Sequence, residues 1–302
     1  MIRSSRLGLA CAACLLPAIS GCGGGSDDSG PSAIVAAPTP TPSASSTATP
    51  AAMTWWRPDR TTSWQWQLSG TLNTTYAVTA YDVDLFDTSQ AAITALHGQG
   101  RRVICYFSAG SVENWRPDAA QFASQDIGKP LDGWAGERWL RVDSAGVRQV
   151  MTARLDLARS KGCDGVEPDN VDGYGNDNGL GLTAAMQLDY SRFLADEAHR
   201  RGLAIGLKND IPQLASLQPD FDFAVNEQCH EYDECGGYSV FLDAGKPVFV
   251  AEYAERYRNN VNGARDSMCV ASRAQGVRTL ILATALDDSV RVSCDETRPT
   301  GS

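Results

Sequence analysis

Histidine is scarce in this sequence, and the usual spacings of metal ligands are missing from most of it. Only three histidines occur among 302 residues, at positions 97, 199 and 230. From Trp55 onward there is no CxxC pair and no HExxH segment. Zinc sites depend on clustered ligands of that kind, so we expect no metal ion and no other cofactor.

Positive charge is also in short supply. The chain has 26 lysines and arginines against 36 aspartates and glutamates, a formal net charge of −10. A protein that binds nucleic acid needs a basic patch to neutralise phosphates, so nucleic acid is excluded as a partner. An acidic surface attracts cations and cationic polymers, although it also serves simply to keep a protein soluble.

Uninterrupted apolar sequence is confined to the N-terminus. The run over residues 7–19 contains Pro17, follows two arginines and leads into Ile-Ser-Gly-Cys, which ends at Cys22. A membrane-spanning helix needs about 20 apolar residues, whereas this pattern is typical of a lipoprotein signal peptide. We therefore predict a signal peptide over 1–21 and a lipid on Cys22; a plain secretory signal is the alternative.

The lipid would be the only contact of the protein with a membrane. Glycine follows the cysteine at position 23, as it does in lipoproteins that are sent to the outer membrane. We therefore expect the protein to be anchored in the cell envelope, at the outer membrane. The alternative is a secreted protein. Residues 22–54 are rich in Gly, Ser, Pro and Thr and predict a linker. The globular part is predicted over 55–295, with a tail over 296–302.

Six cysteines belong to the globular part, and an oxidising compartment favours disulfides between them. Cys229 and Cys235 are close enough in sequence to close a small loop. Cys269 reaches Cys294 if the last helix packs on the C-terminal segment. Cys105 and Cys163 are further candidates for pairing, so the sequence leaves the connectivity of the disulfides open.

Short β-type segments alternate with helical periodicity along the globular part. This alternation predicts parallel strands joined by helices, and the length suits one barrel of about 250 residues. We therefore predict an α/β fold, a single-domain (β/α)8 TIM-type barrel. The predicted strands are Trp64–Leu68, Val78–Asp82, Val103–Phe107, Gly165–Pro168, Ala204–Lys208, Phe223–Asn226, Val248–Ala251 and Thr279–Ala283, with Trp139–Val142 as a ninth candidate.

Polar residues follow most of these strands, at the end where parallel barrels place their active sites. They are Asp82, Asp84, Ser108, Glu167, Asp169, Asn170, Asp172, Lys208, Asn209, Asp210, Asn226, Glu227 and Glu252. Glycoside hydrolysis needs two carboxyl groups on opposite sides of the sugar bond. Asp169 and Glu227, two strands apart, are the predicted pair.

Strand alternation indicates which of these side chains face the barrel interior. Glu167 and Asp169 share one face of their strand. In the strand that ends at Lys208, the bulky apolar residues alternate with the residues of the other face, so Lys208 is expected to point inward. An inward lysine either keeps a carboxylate ionised or forms a core ion pair that only fixes the barrel. Among the tryptophans, whose rings stack on sugars, Trp66 and Trp115 are the candidates for the cleft.

Six motifs, in the same order along the chain, resemble those of one family. This family is glycoside hydrolase family 114, the endo-α-1,4-polygalactosaminidases. The motifs are WQWQLSG (64–70), YDVDLFD (81–87), VICYFSAGS (103–111), GVEPDNVDGY (165–174), GLKND (206–210) and VNEQC (225–229). The resemblance implies a TIM-type barrel that cleaves α-1,4-linked galactosamine polymers internally. It also implies a catalytic pair that matches Asp169 and Glu227. The polymer that this family cleaves is cationic, which fits the net negative charge of the chain.

We accordingly expect a retaining enzyme, with Asp169 as nucleophile and Glu227 as acid/base, that works as a monomer on an α-1,4-galactosamine polysaccharide. The residues expected to contact the substrate are Asp82, Asp84, Ser108, Glu167, Asn170, Lys208, Asn209, Glu252 and Trp66. Two alternatives stay open. One is a glycosidase for another amino-sugar polymer, and the other is a lipid-tethered barrel that only binds exopolysaccharide.

Overall fold

The computed structural model describes residues 54–296. The signal peptide, the lipid attachment at Cys22, most of the predicted linker and the tail from residue 297 lie outside these residues. Within the described part, no helix has both the length and the apolar character that crossing a bilayer requires.

The described chain contains twelve β-strands and seven α-helices. The strands are β1 (Trp64–Gln67), β2 (Ala80–Asp84), β3 (Arg102–Ser108), β4 (Ser111–Glu113), β5 (Ile127–Pro130), β6 (Glu137–Leu140), β7 (Gly165–Asp169), β8 (Ala204–Lys208), β9 (Phe223–Glu227), β10 (Val248–Glu252), β11 (Arg278–Leu282) and β12 (Arg291–Ser293). The helices are α1 (Gln90–Gly98), α2 (Ala145–Lys161), α3 (Ala184–Arg200), α4 (Leu214–Leu217), α5 (Ser239–Asp243), α6 (Glu255–Arg258) and α7 (Ala264–Gln275).

All eight predicted barrel strands are present, with ends shifted by at most two residues. They pair in parallel in the order β1-β2-β3-β7-β8-β9-β10-β11, and β12 adds to β11 in the antiparallel sense. The indole N–H of Trp64 in β1 donates to the carbonyl oxygen of Arg278 in β11, at 3.0 Å. The two ends of the curled sheet therefore meet, and the predicted (β/α)8-type fold is confirmed.

The ninth candidate strand has a different role. It corresponds to β6, which pairs with β4 and β5 in a separate three-stranded antiparallel sheet. This small sheet is inserted between β3 and α2, so it stands at the end of the barrel where β3 ends.

The alternation along each strand separates two apolar layers. The odd-numbered residues of β8, Ile205 and Leu207, pack with the helices, whereas Ala204 belongs to the barrel interior. The predicted inward orientation of Lys208 follows from the same alternation and is confirmed. The interior layer consists of Trp64, Trp66, Ala80, Ile104, Ala204, Phe223, Val225, Phe249, Ala251, Leu280 and Leu282.

Local sequence signals mark the ends of the main helices. Ser89, Ser144 and Thr183 precede α1, α2 and α3, and their side chains accept a backbone N–H of the first turn, as N-cap residues do. Gly162 and Gly276 end α2 and α7 in the left-handed conformation, which glycine adopts without steric cost.

Three disulfides cross-link the domain. Cys229–Cys235 closes the small loop that sequence proximity suggested, and Cys269–Cys294 joins the last helix to the C-terminal segment, the second pairing considered from the sequence. The third, Cys105–Cys163, joins β3 to the residues that lead into β7. Disulfides persist in oxidising compartments, so the three bonds agree with a protein that works outside the cytosol.

Gly206 offers a test of the interior packing. A Cβ at this position would lie 2.2 Å from the ring of Phe223, a distance at which one of the two must move. We expect Gly206→Ala to destabilise the domain by about 1–3 kcal/mol, measured as a lower melting temperature. Gly98→Ala is the matched control: Gly98 ends α1 and nothing lies within 4 Å of its added Cβ, so stability should rise or stay the same.

Candidate active site

A cavity of about 660 Å³ opens at the carboxyl ends of the barrel strands. One wall comes from the small sheet and its turn, a second from residues 170–177 after β7, and a third from residues 284–286 after β11. The cavity is lined by Trp66, Leu68, Tyr106, Lys129, Pro130, Leu131, Asp132, Trp134, Glu137, Trp139, Asp169, Asn170, Val171, Asp172, Asn176, Asp177, Lys208, Asn209, Glu227, Thr284, Ala285 and Leu286. Both members of the predicted carboxyl pair are on its floor.

Lys208 is the centre of the floor. Its Nζ lies 3.0 Å from Glu167 Oε1, 3.2 Å from Asp169 Oδ1 and 3.5 Å from Glu227 Oε2. Burial alone would lower the pKa of Lys208, but the charges of the three carboxylates outweigh it and hold the pKa well above its ordinary value. The lysine therefore stays charged and brings carboxylates from β7 and β9 to one point.

Asp169 is oriented by three donors. The hydroxyl of Tyr106 donates to Oδ2 at 2.8 Å, the backbone N–H of Asn170 donates to Oδ1 at 2.7 Å, and Lys208 also faces Oδ1. Burial, together with the charge of Asp169, holds the pKa of Tyr106 well above its ordinary value. Tyr106 is thus a neutral donor at neutral pH.

Glu227 has a similar but more open setting. The hydroxyl of Tyr253 donates to Oε1 at 2.6 Å, and the backbone N–H of Glu227 donates to Asn209 Oδ1 at 3.0 Å. The Glu227 side chain is 31% exposed, compared with 16% for Asp169. Water therefore reaches Glu227 more easily than it reaches Asp169.

A second carboxyl pair, Asp82 and Glu167, lies beneath the floor and is fully buried. Burial and then the neighbouring Glu167 charge raise the pKa of Asp82 well above its ordinary value. Burial raises the pKa of Glu167 to about 7, against the lowering effect of Lys208. Asp82 is consequently the protonated partner, and Glu167 supplies the negative charge beneath Lys208.

Residues in the left-handed conformation follow three of the strands that form the floor. They are Asn170 after β7, Asn209 after β8 and Gln228 after β9. Asparagine tolerates this region better than most residues, whereas glutamine does so at a cost. Such backbone geometry clusters at functional sites, and here it turns the chain sharply after Asp169, Lys208 and Glu227.

The predicted substrate contacts fall into three groups. Trp66, Asn170, Lys208 and Asn209 line the cavity. Asp82, Glu167 and Ser108 lie behind the lining residues and are fully buried; the hydroxyl of Ser108 accepts from the side-chain amide of Asn170 at 2.9 Å.

Asp84 and Glu252 do not reach the cavity at all. The carboxylate of Asp84 pairs with Arg116 at 2.5 Å and accepts the N–H groups of the following turn. Glu252 is on the helix-facing side of β10, because Phe249 and Ala251 are the inward residues of that strand. Its Oε1 accepts the backbone N–H of His230 at 2.8 Å.

Several lining residues were not predicted from the sequence. Tyr106 could have been found, since it has the same strand parity as Ser108. Tyr253 does not line the cavity but contacts Glu227, and it continues the inward set of β10 one residue past the end of the strand. Glu137, Trp134 and Trp139 come from the inserted small sheet, for which the barrel pattern gives no rule.

The tryptophans differ from expectation in the same way. Trp66 lines the cavity as predicted, and its ring centroid lies 4.8 Å from Lys208 Nζ. Trp115 is 53% exposed and does not line the cavity, whereas Trp134, which is 60% exposed, does. Trp134 therefore takes the place that the sequence assigned to Trp115.

One group of possible metal ligands occurs among residues 54–296. It consists of Cys229, His230 and Cys235. The two sulfurs are joined to each other in a disulfide, so neither is a thiolate that could bind a metal ion.

Glu252 makes the stability of the fold depend on pH. Burial raises the pKa of Glu252 from 4.5 to about 7, so the folded state keeps a proton that the unfolded chain has lost. This contribution is complete below pH 4.5 and disappears as the pH rises through about 7, with an upper limit of about 3 kcal/mol.

We expect Glu252→Gln, which is neutral at every pH, to reduce the fall in melting temperature between about pH 5 and pH 8. Asp143→Asn, the same change at an exposed position, should leave the fall as it is in the wild type. An equal fall in both variants would contradict the assignment to Glu252.

Known proteins resemble this chain over most of the described residues. The model of glycoside-hydrolase family GH114 matches residues 45–298. The crystal structure of Aspergillus fumigatus Ega3 in complex with galactosamine is 46% identical, has a TM-score of 0.72, and the match covers 78% of this chain and 96% of Ega3.

Two more distant proteins extend the comparison. The glycoside hydrolase domain of PelA from Pseudomonas aeruginosa is 15% identical with a TM-score of 0.59, and the match covers 76% of this chain and 97% of that domain; this likeness concerns the fold alone. An uncharacterized protein of Deinococcus radiodurans is 25% identical over 200 residues, which are 58% of this chain. The match spans 64% of the length of that relative.

Proposed function

The chain belongs to glycoside-hydrolase family GH114, and from that premise we propose that it cleaves α-1,4-linked galactosamine polysaccharide internally, with Asp169 as nucleophile and Glu227 as acid/base. One observation carries the proposal. Two carboxylates from β7 and β9 meet at one buried ammonium group on the floor of an open cavity. A barrel that only bound polysaccharide would have no need of this arrangement.

The distances at Lys208 allow a retaining mechanism. Lys208 Nζ lies 3.2 Å from Asp169 Oδ1 and 3.5 Å from Glu227 Oε2, so these two oxygens are no more than about 6.7 Å apart. Retaining glycosidases have carboxyl groups about 5–5.5 Å apart and inverting ones about 6.5–9.5 Å, and the retaining distance lies within this limit.

In the first step, Glu227 donates its proton to the glycosidic oxygen while an oxygen of Asp169 attacks the anomeric carbon. The bond to the leaving sugar breaks, and a glycosyl ester forms on Asp169. Tyr106 and the N–H of Asn170 hold the attacking carboxylate in place before the reaction, which lowers the entropic part of the barrier.

In the second step, Glu227 takes a proton from water, and the water oxygen attacks the anomeric carbon and releases Asp169. The ester has removed the negative charge of Asp169, so Lys208 is left with Glu167 and Glu227 as its charged neighbours. Lys208 stays in contact with Glu227 in this step.

The charge of the cavity supports a cationic substrate. Six acidic residues line it, Asp132, Glu137, Asp169, Asp172, Asp177 and Glu227, against Lys129 and Lys208. The ammonium groups of de-N-acetylated galactosamine are attracted to such a field. Ega3, the relative with 46% identity, was crystallised with galactosamine, and the aromatic rings of Trp66, Trp134 and Trp139 offer surfaces on which sugar faces stack.

The proposed pair is tested by Asp169→Asn and Glu227→Gln. With partially deacetylated α-1,4-galactosaminoglycan as substrate, each variant should lose at least about 1,000-fold in kcat. Oligosaccharide products are read by mass spectrometry, and the anomer that is released first is read by NMR. Asp143→Asn serves as the control for the amide substitution itself.

Other outcomes of this experiment separate the alternatives. Wild type that binds the polymer without releasing products would favour the non-catalytic tether. Products only from a different amino-sugar polymer would favour the second glycosidase. Equal products from wild type and both variants would remove Asp169 and Glu227 from the mechanism, and an inverted anomer would remove the covalent intermediate.

We also propose that the protein acts as a lipid-anchored monomer at the outer membrane. The Ile-Ser-Gly-Cys sequence that ends at Cys22 supports the anchor, and the three disulfides agree with an oxidising compartment.

Replacement of the lipidated cysteine tests the anchor. We expect Cys22→Ser to move the protein from the membrane fraction to the soluble fraction, because a diacylated cysteine is what retains it there. Hydrolysis by the soluble protein should match that of wild type in detergent. Continued recovery of Cys22→Ser in the membrane fraction would contradict a lipid anchor at this residue.

A further inference from the structure

Glu137 is a buried carboxylate that faces the cavity without a countercharge. It begins β6 and lines the cavity, yet it is only 8% exposed. Its Oε2 accepts the hydroxyl of Ser111 at 2.7 Å. No lysine, arginine or histidine of residues 54–296 lies within ion-pair distance of it, whereas Glu113, its neighbour across the small sheet, pairs with Arg116 and Arg154.

A buried charge without a partner is unfavourable. Burial raises the pKa of Glu137; the Ser111 hydroxyl lowers it, the charge of Asp169 raises it, and the more distant charge of Arg116, which is beyond ion-pair distance, lowers it. A cation delivered by a ligand would remove this penalty, since buried charges are stable when they are paired and hydrogen-bonded. Glu137 is thus prepared for a positively charged group in the cavity.

The position of Glu137 indicates which positively charged group of a sugar chain it would bind. The hydroxyl of Ser111 lies 3.3 Å from Asn170 Nδ2, and the backbone N–H of Asn170 donates to Asp169. Glu137 is therefore one hydrogen-bonded link away from the residue that holds the proposed nucleophile. In galactosamine, the amine is on the carbon next to the anomeric carbon that Asp169 attacks.

Most other acidic residues of the lining are less suited to this role. Asp177 is exposed and already pairs with Lys129 at 2.7 Å, and Asp132 is exposed to solvent, where an ion pair contributes little. Asp169 and Glu227 are occupied by Lys208. Asp172 is half-buried in the same cavity and provides the comparison for an experiment.

We propose that Glu137 binds the ammonium group of the sugar whose anomeric carbon faces Asp169, and that it thereby selects galactosamine over N-acetylgalactosamine at this position. The inference rests on the proposed function. An N-acetylated sugar presents a neutral amide in the same place, which leaves the Glu137 charge uncompensated and adds an acetyl group beside it. Selection then comes from one buried carboxylate in addition to the general acidity of the cleft.

Glu137→Gln tests the proposal, because glutamine keeps the shape and an acceptor for Ser111 but removes the charge. The probes are an α-1,4-linked galactosamine oligosaccharide and the same oligosaccharide after full N-acetylation. For the amine form, kcat/KM should fall about 10- to 100-fold, the loss expected for a charge-assisted hydrogen bond. The ratio of kcat/KM between amine and acetylated forms should fall at least tenfold.

Asp172→Asn is the matched control, since it removes one charge from the same cavity. In this variant, the ratio of kcat/KM between the amine and acetylated forms should change less than threefold. A ratio that falls in Asp172→Asn but not in Glu137→Gln would overturn the proposal, and so would an equal loss on both oligosaccharides in Glu137→Gln, which would indicate a structural role.

A second readout covers the case in which wild type does not cleave the acetylated form. Binding of both oligosaccharides to Asp169→Asn, with and without Glu137→Gln, is then compared by calorimetry, with the same tenfold criterion. If Glu137→Gln does not fold, Ser111→Ala replaces it, and a ratio lowered about threefold or more is expected. Wild type that cleaves neither oligosaccharide refutes the proposed function, and binding to Asp169→Asn still decides the role of Glu137.

Discussion

The ammonium group of Lys208, held among Glu167, Asp169 and Glu227, is the interaction on which the rest of the site depends. A buried cation is stable only when carboxylates surround it with good geometry, and these carboxylates come from two different strands. β7 and β9 flank β8 in the sheet, so both strands lie beside the one that carries Lys208. On the same face of β8, Gly206 leaves room for the ring of Phe223. Packing of the interior and placement of the carboxylates are therefore one constraint.

Charge balance in the site explains why its other donors are neutral. Asp82 takes up a proton because burial and Glu167 disfavour its charge, so three carboxylates remain against one lysine. Tyr106 and Tyr253 orient two of them through hydroxyl groups, which add no positive charge. A further arginine or lysine would have stabilised the carboxylates, but it would also have cancelled the negative field of the cavity. The tyrosines preserve that field for a cationic ligand.

Strand alternation accounts for what the sequence predicted well and for where it was wrong. In β7 and β8, polar residues interrupt bulky apolar ones, so the inward orientation of Glu167 and Lys208 could be predicted. In β10, all of Val248–Ala251 is apolar, and no residue type distinguishes the two faces. Glu252 is predicted as a site residue because it ends the strand, but it faces the helices, whereas the next residue, Tyr253, packs against the barrel interior and donates to Glu227. Glu137 belongs to an inserted sheet with antiparallel pairing, whose position relative to the barrel no periodicity in the sequence encodes.

The different exposure of Asp169 and Glu227 distinguishes their roles better than the motifs do. Either carboxylate could be the nucleophile as far as strand position is concerned. A nucleophile must be ionised and aligned before the substrate reacts, and Asp169 has three donors and little access to water. An acid/base must exchange a proton with the leaving group and then with water, and the more open Glu227 can do so. Lys208 contacts both carboxyl groups, so the proposed nucleophile and the proposed acid/base share a single cation.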